Sequence, residues 1–200
     1  MASRPTRADV LFSQRLLRAQ GLYRAALDGI WGSESQAAQR MFEQRSIILR
    51  ERLGAFDARS ETSIASLTLA TQEQARRFLA RVLVDGVDVR IVSGTRSYAE
   101  QNALYRQGRD GRRGPIVTQA RAGRSTHNFG VAWDVAVFAP DGRYSTRDQD
   151  YERVARRGLS PALEWGGHWP RFPDGPHYQL ATGLDITALR RRFEAGIGWS

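Results

Sequence analysis

The residues with the clearest chemical potential are three histidines and two aspartates, in a chain without cysteine. Without thiolates, any bound metal must be held by imidazole nitrogens or carboxylate oxygens. His127 and Asp134 stand seven residues apart, and His177 follows Asp174 after three residues. Two histidines and one carboxylate are the usual protein ligands of a catalytic zinc ion. The spacing therefore allows a zinc site, with satisfied structural histidines as the alternative.

Bringing His127 and Asp134 to one point requires a bend followed by a strand. Residues 128–130 predict the bend, and residues 131–138 suit a strand with Val131, Trp133, Val135 and Val137 on one face. Asp134 falls on the strand face that carries alanines, where an unpaired carboxylate is costly and indicates a cation or strong donors nearby. Residues 177–180 predict the neighbouring strand that brings His177 to the same place.

Two further charged side chains could serve this site. Asp174 falls on a predicted turn before Pro176, where it would lie beside the metal without needing to bind it. A carboxylate there can take a proton from a water molecule, whose pKa zinc lowers to about 7, and pass it to a leaving amine. Arg96, at a strand-to-helix junction, could bind a substrate carboxylate or a developing oxyanion.

Strands separated by unequal helices and long loops predict an α+β fold. Residues 1–54 predict a small all-α domain, residues 55–70 an irregular linker, and residues 71–200 the catalytic domain. In the first domain, we expect Ile30 and Trp31 to be buried anchors.

Several helix starts and one helix face follow from local patterns. Met41 and Ile48 are at helical spacing and are expected on a buried face. Predicted helix starts lie at Asp9, Ser33, Thr71, Ser97 and Asp185, with capping boxes at Ser33, Thr71 and Ser97.

The net charge of +9 comes entirely from arginine, since the chain has no lysine. Such a charge favours a polyanionic partner: nucleic acid, anionic lipid or a bacterial envelope. The arginines are mostly spread along the chain, and no helix-turn-helix or zinc-finger pattern is present, so we expect no nucleic-acid partner. No apolar run approaches the roughly 18 residues of a membrane span, so we expect no membrane insertion.

Three motifs resemble a known family. S-x-H-x-x-G-x-A-x-D stands at residues 125–134, D-x-P-H at 174–177 and S-G-x-R-S at 93–97. In this order and spacing they resemble the zinc peptidase family of D-alanyl-D-alanine carboxypeptidases and L-alanyl-D-glutamate endopeptidases. Residues 101–109 and 116–118 are similar to its endopeptidase branch, familiar from phage endolysins.

The resemblance implies a fold and a role for each motif residue. The fold is a small antiparallel sheet with flanking helices, as in D-Ala-D-Ala peptidases and hedgehog-like proteins. The implied roles are zinc ligands for His127, Asp134 and His177, general base for Asp174, and substrate contacts for Arg96 and Ser125, with Arg96 also stabilising the transition state.

The chain departs from the family pattern at two places. His168 stands where members often carry an acid in Gly-Gly-Asp-Trp. We expect an exposed structural histidine, with a contact to the substrate or the metal as the alternative. Asp174 stands where some relatives use glutamate, which is one methylene longer.

A second resemblance concerns the N-terminal part. Residues 14–23, 28–32 and 37–42 look like the helical peptidoglycan-binding module of wall hydrolases. The alternative is a helical cap that only stabilises the catalytic domain.

Together these patterns predict a monomeric zinc endolysin that cleaves the L-Ala–D-Glu bond of bacterial peptidoglycan. The first 20 residues lack the apolar stretch of a secretion signal. We therefore expect synthesis in the host cytoplasm and action on the wall after the membrane is permeabilised. The alternatives are a D-Ala-D-Ala carboxypeptidase of wall remodelling and a non-catalytic wall-binding protein.

Overall fold

A computed structural model of the chain describes residues 4–84, 86–109, 111–139 and 141–199. The sequence predicts a basic loop at residues 108–114 and a polar loop at residues 140–150, and Asp110 and Pro140 of these loops lie outside the described residues. Within the described ranges, the helices are α1 (Arg7–Ala19), α2 (Ser33–Leu53), α3 (Ala58–Ala65), α4 (Leu69–Leu83), α5 (Tyr98–Arg106), α6 (Asp148–Gly158) and α7 (Ile186–Ala195). The strands are β1 (Asp88–Ser93), β2 (Ala132–Phe138), β3 (Leu163–Trp165) and β4 (His177–Leu180).

The four described strands form one antiparallel sheet in the order β1-β2-β4-β3. This arrangement confirms the predicted α+β class. The predicted alternation of β2 is also confirmed, because Trp133, Val135 and Val137 belong to the hydrophobic core. Across the described ranges, no helix is both long and apolar enough to cross a membrane.

The described residues divide into two compact units. The unit that contains the sheet comprises Arg45–Thr95 and Gly130–Thr182. In this unit, α3 and α4 contact β1, and α6 contacts α4. Its core is aromatic at the centre, where the ring centroid of Phe78 lies 4.5 Å from that of Tyr178. Burial of such large rings supplies much of the free energy that holds a sheet in place.

The other unit comprises Met1–Gln44, Arg96–Phe129 and Gly183–Ser200. Its terminal helix α7 packs against α1. Phe193 on α7 is fully buried, and its ring centroid lies 5.3 Å from that of Phe12 and 5.4 Å from that of Phe129. Segments distant in the sequence therefore share one aromatic cluster.

The predicted irregular structure of residues 55–70 is wrong, because this stretch contains α3 and the first residues of α4. The side chain of Asp57 caps α3 by accepting from the N–H groups of Arg59 and Ser60. The buried positions include Ser60 and Ser63, so the helical period is hidden in small polar residues. The division into domains at residues 54–71 stays a prediction.

Some predicted helix starts are confirmed and others are wrong. Ser97 forms the predicted capping box and Asp185 caps α7. Asp9 is the third helical residue of α1, whose cap is Thr6. The cap of α4 is Thr68 rather than Thr71, which instead shares a 2.7 Å hydroxyl hydrogen bond with Thr68.

Helix α2 begins at the predicted cap residue itself, Ser33, and the N–H of Gln36 donates to the carbonyl of Gly32. The predicted capping box of α2 is therefore wrong. The carbonyl of Gly32 accepts from the N–H of Gln36, which was expected to donate to the side chain of Ser33.

The predicted burial of two sets of apolar residues is also wrong. Ile30 is 65% and Trp31 39% exposed. On α2, Met41 and Ile48 are exposed, whereas Phe42 and Leu49 are buried. The core-facing stripe of α2 therefore lies one residue away from the predicted one.

The turn-rich segment that contains Ile30 is held by a buried amide rather than by its apolar residues. The side-chain oxygen of Gln14 accepts from the backbone N–H of Gly29 at 2.9 Å. Its side-chain nitrogen donates to the carboxylate of Asp28 and to the backbone carbonyl of Ile30. A buried polar group needs such partners, and Gln14 finds them in this turn.

Candidate metal centre

The register of the sheet places Asp134 next to His177. Asp134 on β2 is the cross-strand partner of His177 on β4 and of Ser93 on β1. Directly opposite residues in an antiparallel pair have side chains on the same face, with Cβ atoms about 5 Å apart. The predicted meeting of the carboxylate with the second histidine is therefore confirmed.

His127 enters from a short 3-10 helix, Thr126–Phe129, that precedes β2. Gly130 has a φ of 68°, a left-handed conformation that favours glycine and makes the predicted bend. The carbonyl of His127 accepts from the N–H of Arg96. The side chain of Asn128 accepts from the N–H of Gly123 and donates to the carbonyl of Arg96. These bonds fix the backbone that carries His127.

His127, Asp134 and His177 each offer one ligand atom, and these atoms all lie within 4.8 Å of one another. Both histidines are buried, whereas the side chain of Asp134 is 24% exposed. Three donors converging on one point with partial access to solvent could hold a metal ion and leave a position open. The grouping of the three predicted ligands is confirmed.

Both ring nitrogens of His177 have polar partners. Nδ1 lies 3.2 Å from Oδ1 of Asp134, and Nε2 lies 3.1 Å from Oε1 of Gln179. Burial lowers the pKa of His177, but the hydrogen bond and negative charge of Asp134 outweigh it and raise the pKa overall. Asp134 therefore stabilises a positive charge on the ring of His177.

Asp174 lies on an exposed turn that leads directly into β4. Its N–H donates to the carbonyl of Gly166, and its own carbonyl accepts from the N–H of His177. A methyl group on Gly166 would stand 2.6 Å from the carbonyl oxygen of Asp174, so glycine allows this close approach. The indole N–H of Trp165 donates to Gly175 of the same turn at 2.7 Å. The turn is thus held at a fixed place next to His177.

The other predicted site residues have definite positions. Arg96 is half-buried, and its backbone bonds to His127 and Asn128 as described above. Ser125 is half-buried, and its carbonyl accepts from the N–H of Asn128. Their contacts with a substrate stay a prediction.

His168 is exposed, as predicted, and does not belong to the metal-binding group found among the described residues. Its ring packs edge-on against Trp165, with 4.9 Å between the ring centroids. This packing is a structural role.

Sequence reasoning missed Gln179, Glu164 and Gly166. Gln179 and Glu164 contact each other across strands, so no local spacing connects them. The signal for Gln179 was its place two residues after His177, on the same strand face. Gly166 gave a weaker signal as a glycine directly after a strand.

Two histidines and a carboxylate meet at one point, one histidine on a 3-10 helix and the other two residues on an antiparallel sheet, and this arrangement defines a metal-binding α+β protein. A family model described as D-alanyl-D-alanine carboxypeptidase matches residues 118–180. The L-Ala D-Glu endopeptidase ChiX of Serratia marcescens is 30% identical, with a TM-score of 0.51 over 64% of this chain and 90% of ChiX. The chain therefore belongs to the D-alanyl-D-alanine carboxypeptidase family of zinc metallopeptidases.

A curated relative agrees with this assignment. The chain is 40% identical over 104 residues to the peptidoglycan L-alanyl-D-glutamate endopeptidase CwlK of Bacillus subtilis. The match covers 48% of this chain and 62% of CwlK, so it spans less than two thirds of that relative's length.

Proposed function

We propose that the chain is a zinc-dependent peptidase that hydrolyses the L-Ala–D-Glu bond of peptidoglycan stem peptides. The observation that carries this proposal is the group formed by His127, Asp134 and His177. The names of two relatives support the choice of bond, because CwlK and ChiX are both L-Ala–D-Glu endopeptidases.

The donor set fits zinc. Two imidazole nitrogens and one carboxylate oxygen, without any thiolate, match the ligands of hydrolytic zinc sites. His127 and His177 are held by the backbone bonds and the cross-strand register described above, so little rearrangement is needed to bind the ion. When bound, zinc acts as a Lewis acid and lowers the pKa of a coordinated water molecule to about 7.

Asp174 is the general base in this proposal. Its side chain is exposed to solvent, and its turn leads directly into the strand of His177. The carboxylate accepts a proton as the oxygen of water bonds to the scissile carbonyl carbon. It then delivers that proton to the amine nitrogen as the C–N bond breaks.

Arg96 and Ser125 bind the substrate in this proposal. A guanidinium group forms strong paired hydrogen bonds with carboxylates, and stem peptides carry free carboxylates. The hydrogen bonds of the Arg96 backbone to His127 and Asn128 place the main chain of Arg96 next to that of a proposed zinc ligand.

We further propose that the protein acts as a monomeric endolysin, without nucleic acid as a partner. The similarity of residues 101–109 to the endolysin branch supports this role. In the same proposal, residues 1–54 hold the enzyme on the wall, and access to the wall follows permeabilisation of the membrane.

Digestion of purified peptidoglycan tests the function directly. We expect the zinc-loaded protein to create new N-terminal D-Glu residues, identified by mass spectrometry, and a chelator to stop the reaction. Release of free D-Ala instead would show a carboxypeptidase. Binding to peptidoglycan without any product would show a non-catalytic wall-binding protein.

The role of Asp174 is tested by Asp174→Asn. We expect the variant to keep one zinc ion per chain and to lose about 10²–10⁴-fold in turnover, the usual contribution of a general base. Asp148→Asn, at an exposed position of α6, is the matched control and should keep full activity. Loss of zinc together with activity would instead identify Asp174 as a ligand.

A further inference from the structure

A row of polar side chains lies behind His177, on the side away from Asp134. Nε2 of His177 lies 3.1 Å from Oε1 of Gln179. The amide nitrogen of Gln179 donates to Oε2 of Glu164 at 2.8 Å. The row therefore connects an exposed carboxylate on β3 to a buried imidazole on β4.

The register of the sheet explains why these side chains meet. Gln179 pairs with Ala132 on one side and with Glu164 on the other. It also lies two residues after His177, so the two side chains share one strand face. Ala132 is fully buried and has only a methyl group, which leaves space on this face for the long side chain of Gln179.

The chemistry of the row assigns its hydrogen atoms. An ionised carboxylate only accepts, so the NH₂ group of Gln179 must be the end that faces Glu164. The carbonyl oxygen of Gln179 then faces His177 and can only accept. Nε2 of His177 must therefore carry the hydrogen, and Nδ1 is the nitrogen directed toward Asp134.

We propose that Gln179 and Glu164 are positioning residues that hold His177 with its Nδ1 lone pair directed at the metal. Gln179 fixes the tautomer and the ring orientation, and Glu164 fixes which end of the Gln179 amide faces the ring. This inference rests on the proposed zinc site and adds two residues to it. Outer partners of metal-binding histidines act in this way in many metalloproteins, and their loss costs about 10–100-fold in metal affinity.

Zinc affinity of the full chain, measured by competition with a chromogenic chelator, is the first test. Gln179→Met keeps the length of the side chain and removes the acceptor, and we expect it to weaken zinc binding about 10–100-fold. Glu164→Gln can still accept from Gln179, but its own NH₂ group also allows the reversed Gln179 amide, so we expect a zinc affinity between those of the wild type and Glu164→Met. Glu164→Met removes that acceptor and should weaken binding, by less than Gln179→Met does. Glu152→Met, at an exposed glutamate of α6, controls for loss of a surface charge.

NMR of protein labelled with ¹⁵N in its histidines separates positioning from a general loss of structure. In zinc-loaded wild type we expect a hydrogen on Nε2 of His177 that exchanges slowly with water. In Gln179→Met this hydrogen should exchange faster, while the amide spectrum of the core stays unchanged.

The outcomes distinguish this inference from the proposed function. A wild type that binds no zinc would overturn both. If the wild type binds zinc and both Gln179→Met and Glu164→Met bind it with affinities within about twofold of the wild type, the inference alone is overturned. If Gln179→Met does not fold, the zinc affinities of Glu164→Gln and Glu164→Met test the inference instead. Glu164 is exposed, and the two variants differ mainly in whether residue 164 can accept a hydrogen bond.

Discussion

The two faces of the sheet are built by the same strands but carry different kinds of residue. One face carries Asp134, His177 and Gln179, whose side chains contact one another through polar atoms. The opposite face carries Trp133 and Tyr178, which are fully buried and stack with 6.0 Å between ring centroids. Adjacent residues in the chain thus belong to a site and to a core.

The difference shows how the site is kept rigid. Each proposed ligand on β2 or β4 has a buried aromatic neighbour in the chain, because side chains alternate along a strand. Close packing of these rings, together with Phe78, fixes the backbone to which the ligands are attached. Side chains on the site face are therefore available to bind a metal, since the opposite face supplies the stability.

The pair Trp133→Ala and Asp134→Asn tests this comparison most strongly. Removing the buried indole should cost about 3–5 kcal/mol of unfolding free energy. The neighbouring Asp134→Asn should abolish zinc binding but change the unfolding free energy of the zinc-free protein by less than about 1.5 kcal/mol. Chemical denaturation and zinc titration of both variants measure the two effects. Equal losses of stability would show that site and core are not separate.

Gly166→Ala tests whether the turn that carries Asp174 needs its present position. The added methyl group would stand 2.6 Å from a backbone oxygen of Asp174 and 3.0 Å from Cβ of His177, so the turn must move. A shift of about 1 Å can cost roughly 10²-fold in rate, and we expect a loss of that order in kcat. Gly32→Ala is the control, because its methyl group would meet open space. Unchanged kcat in Gly166→Ala would contradict a role for this close approach.

Glu61→Gln addresses a charge in the helices that support the core face. Glu61 accepts two 2.8 Å hydrogen bonds from Arg76, whose side chain is 2% exposed. Burial raises the pKa of Glu61, but the hydrogen bonds from Arg76 outweigh it and lower the pKa from its ordinary 4.5. The ion pair of Glu61 and Arg76 therefore stabilises the fold fully above about pH 4.5, the ordinary pKa of the carboxyl group. This stabilisation is lost as the pH falls through the lowered pKa of Glu61.

We expect Glu61→Gln to lower the unfolding free energy by about 1–3 kcal/mol at neutral pH. Below pH 4.5 the wild type should lose stability more steeply than the variant. Urea denaturation at a series of pH values measures both effects. Parallel curves for the two proteins would mean that Glu61 is not ionised in the pair.

The proposed ligands were predictable from the sequence because their chemistry is rare and their strand is regular. Only three histidines are present, and the apolar alternation around Asp134 placed it on a definite face. The resemblance to the peptidase family gave the order of the motifs, and the structure confirms that His127, Asp134 and His177 meet. Arg96, Ser125 and Asp174 keep roles that the experiments above must decide.

Other features were not predictable, for two physical reasons. The first is that buried polar residues carry no hydrophobic period. Ser60 and Gln14 are both fully buried although they are polar. The hydroxyl of Ser60 accepts from the N–H of Ile91, and the side-chain amide of Gln14 holds a turn. The second is that small differences in rotation decide which face of a helix is buried, so Phe42 is covered and Met41 is not.

The sequence by itself determined the composition of the site and the alternation of its central strand, since both depend on residue types and short spacings. The tertiary structure alone decided that Gln179 and Glu164 stand behind His177, and that Gly166 touches the turn of Asp174. These contacts arise from the register between strands and from the path of a turn. Hydrogen bonds between distant segments set both, so the short spacing of Gln179 from His177 could not by itself bring Glu164 beside them.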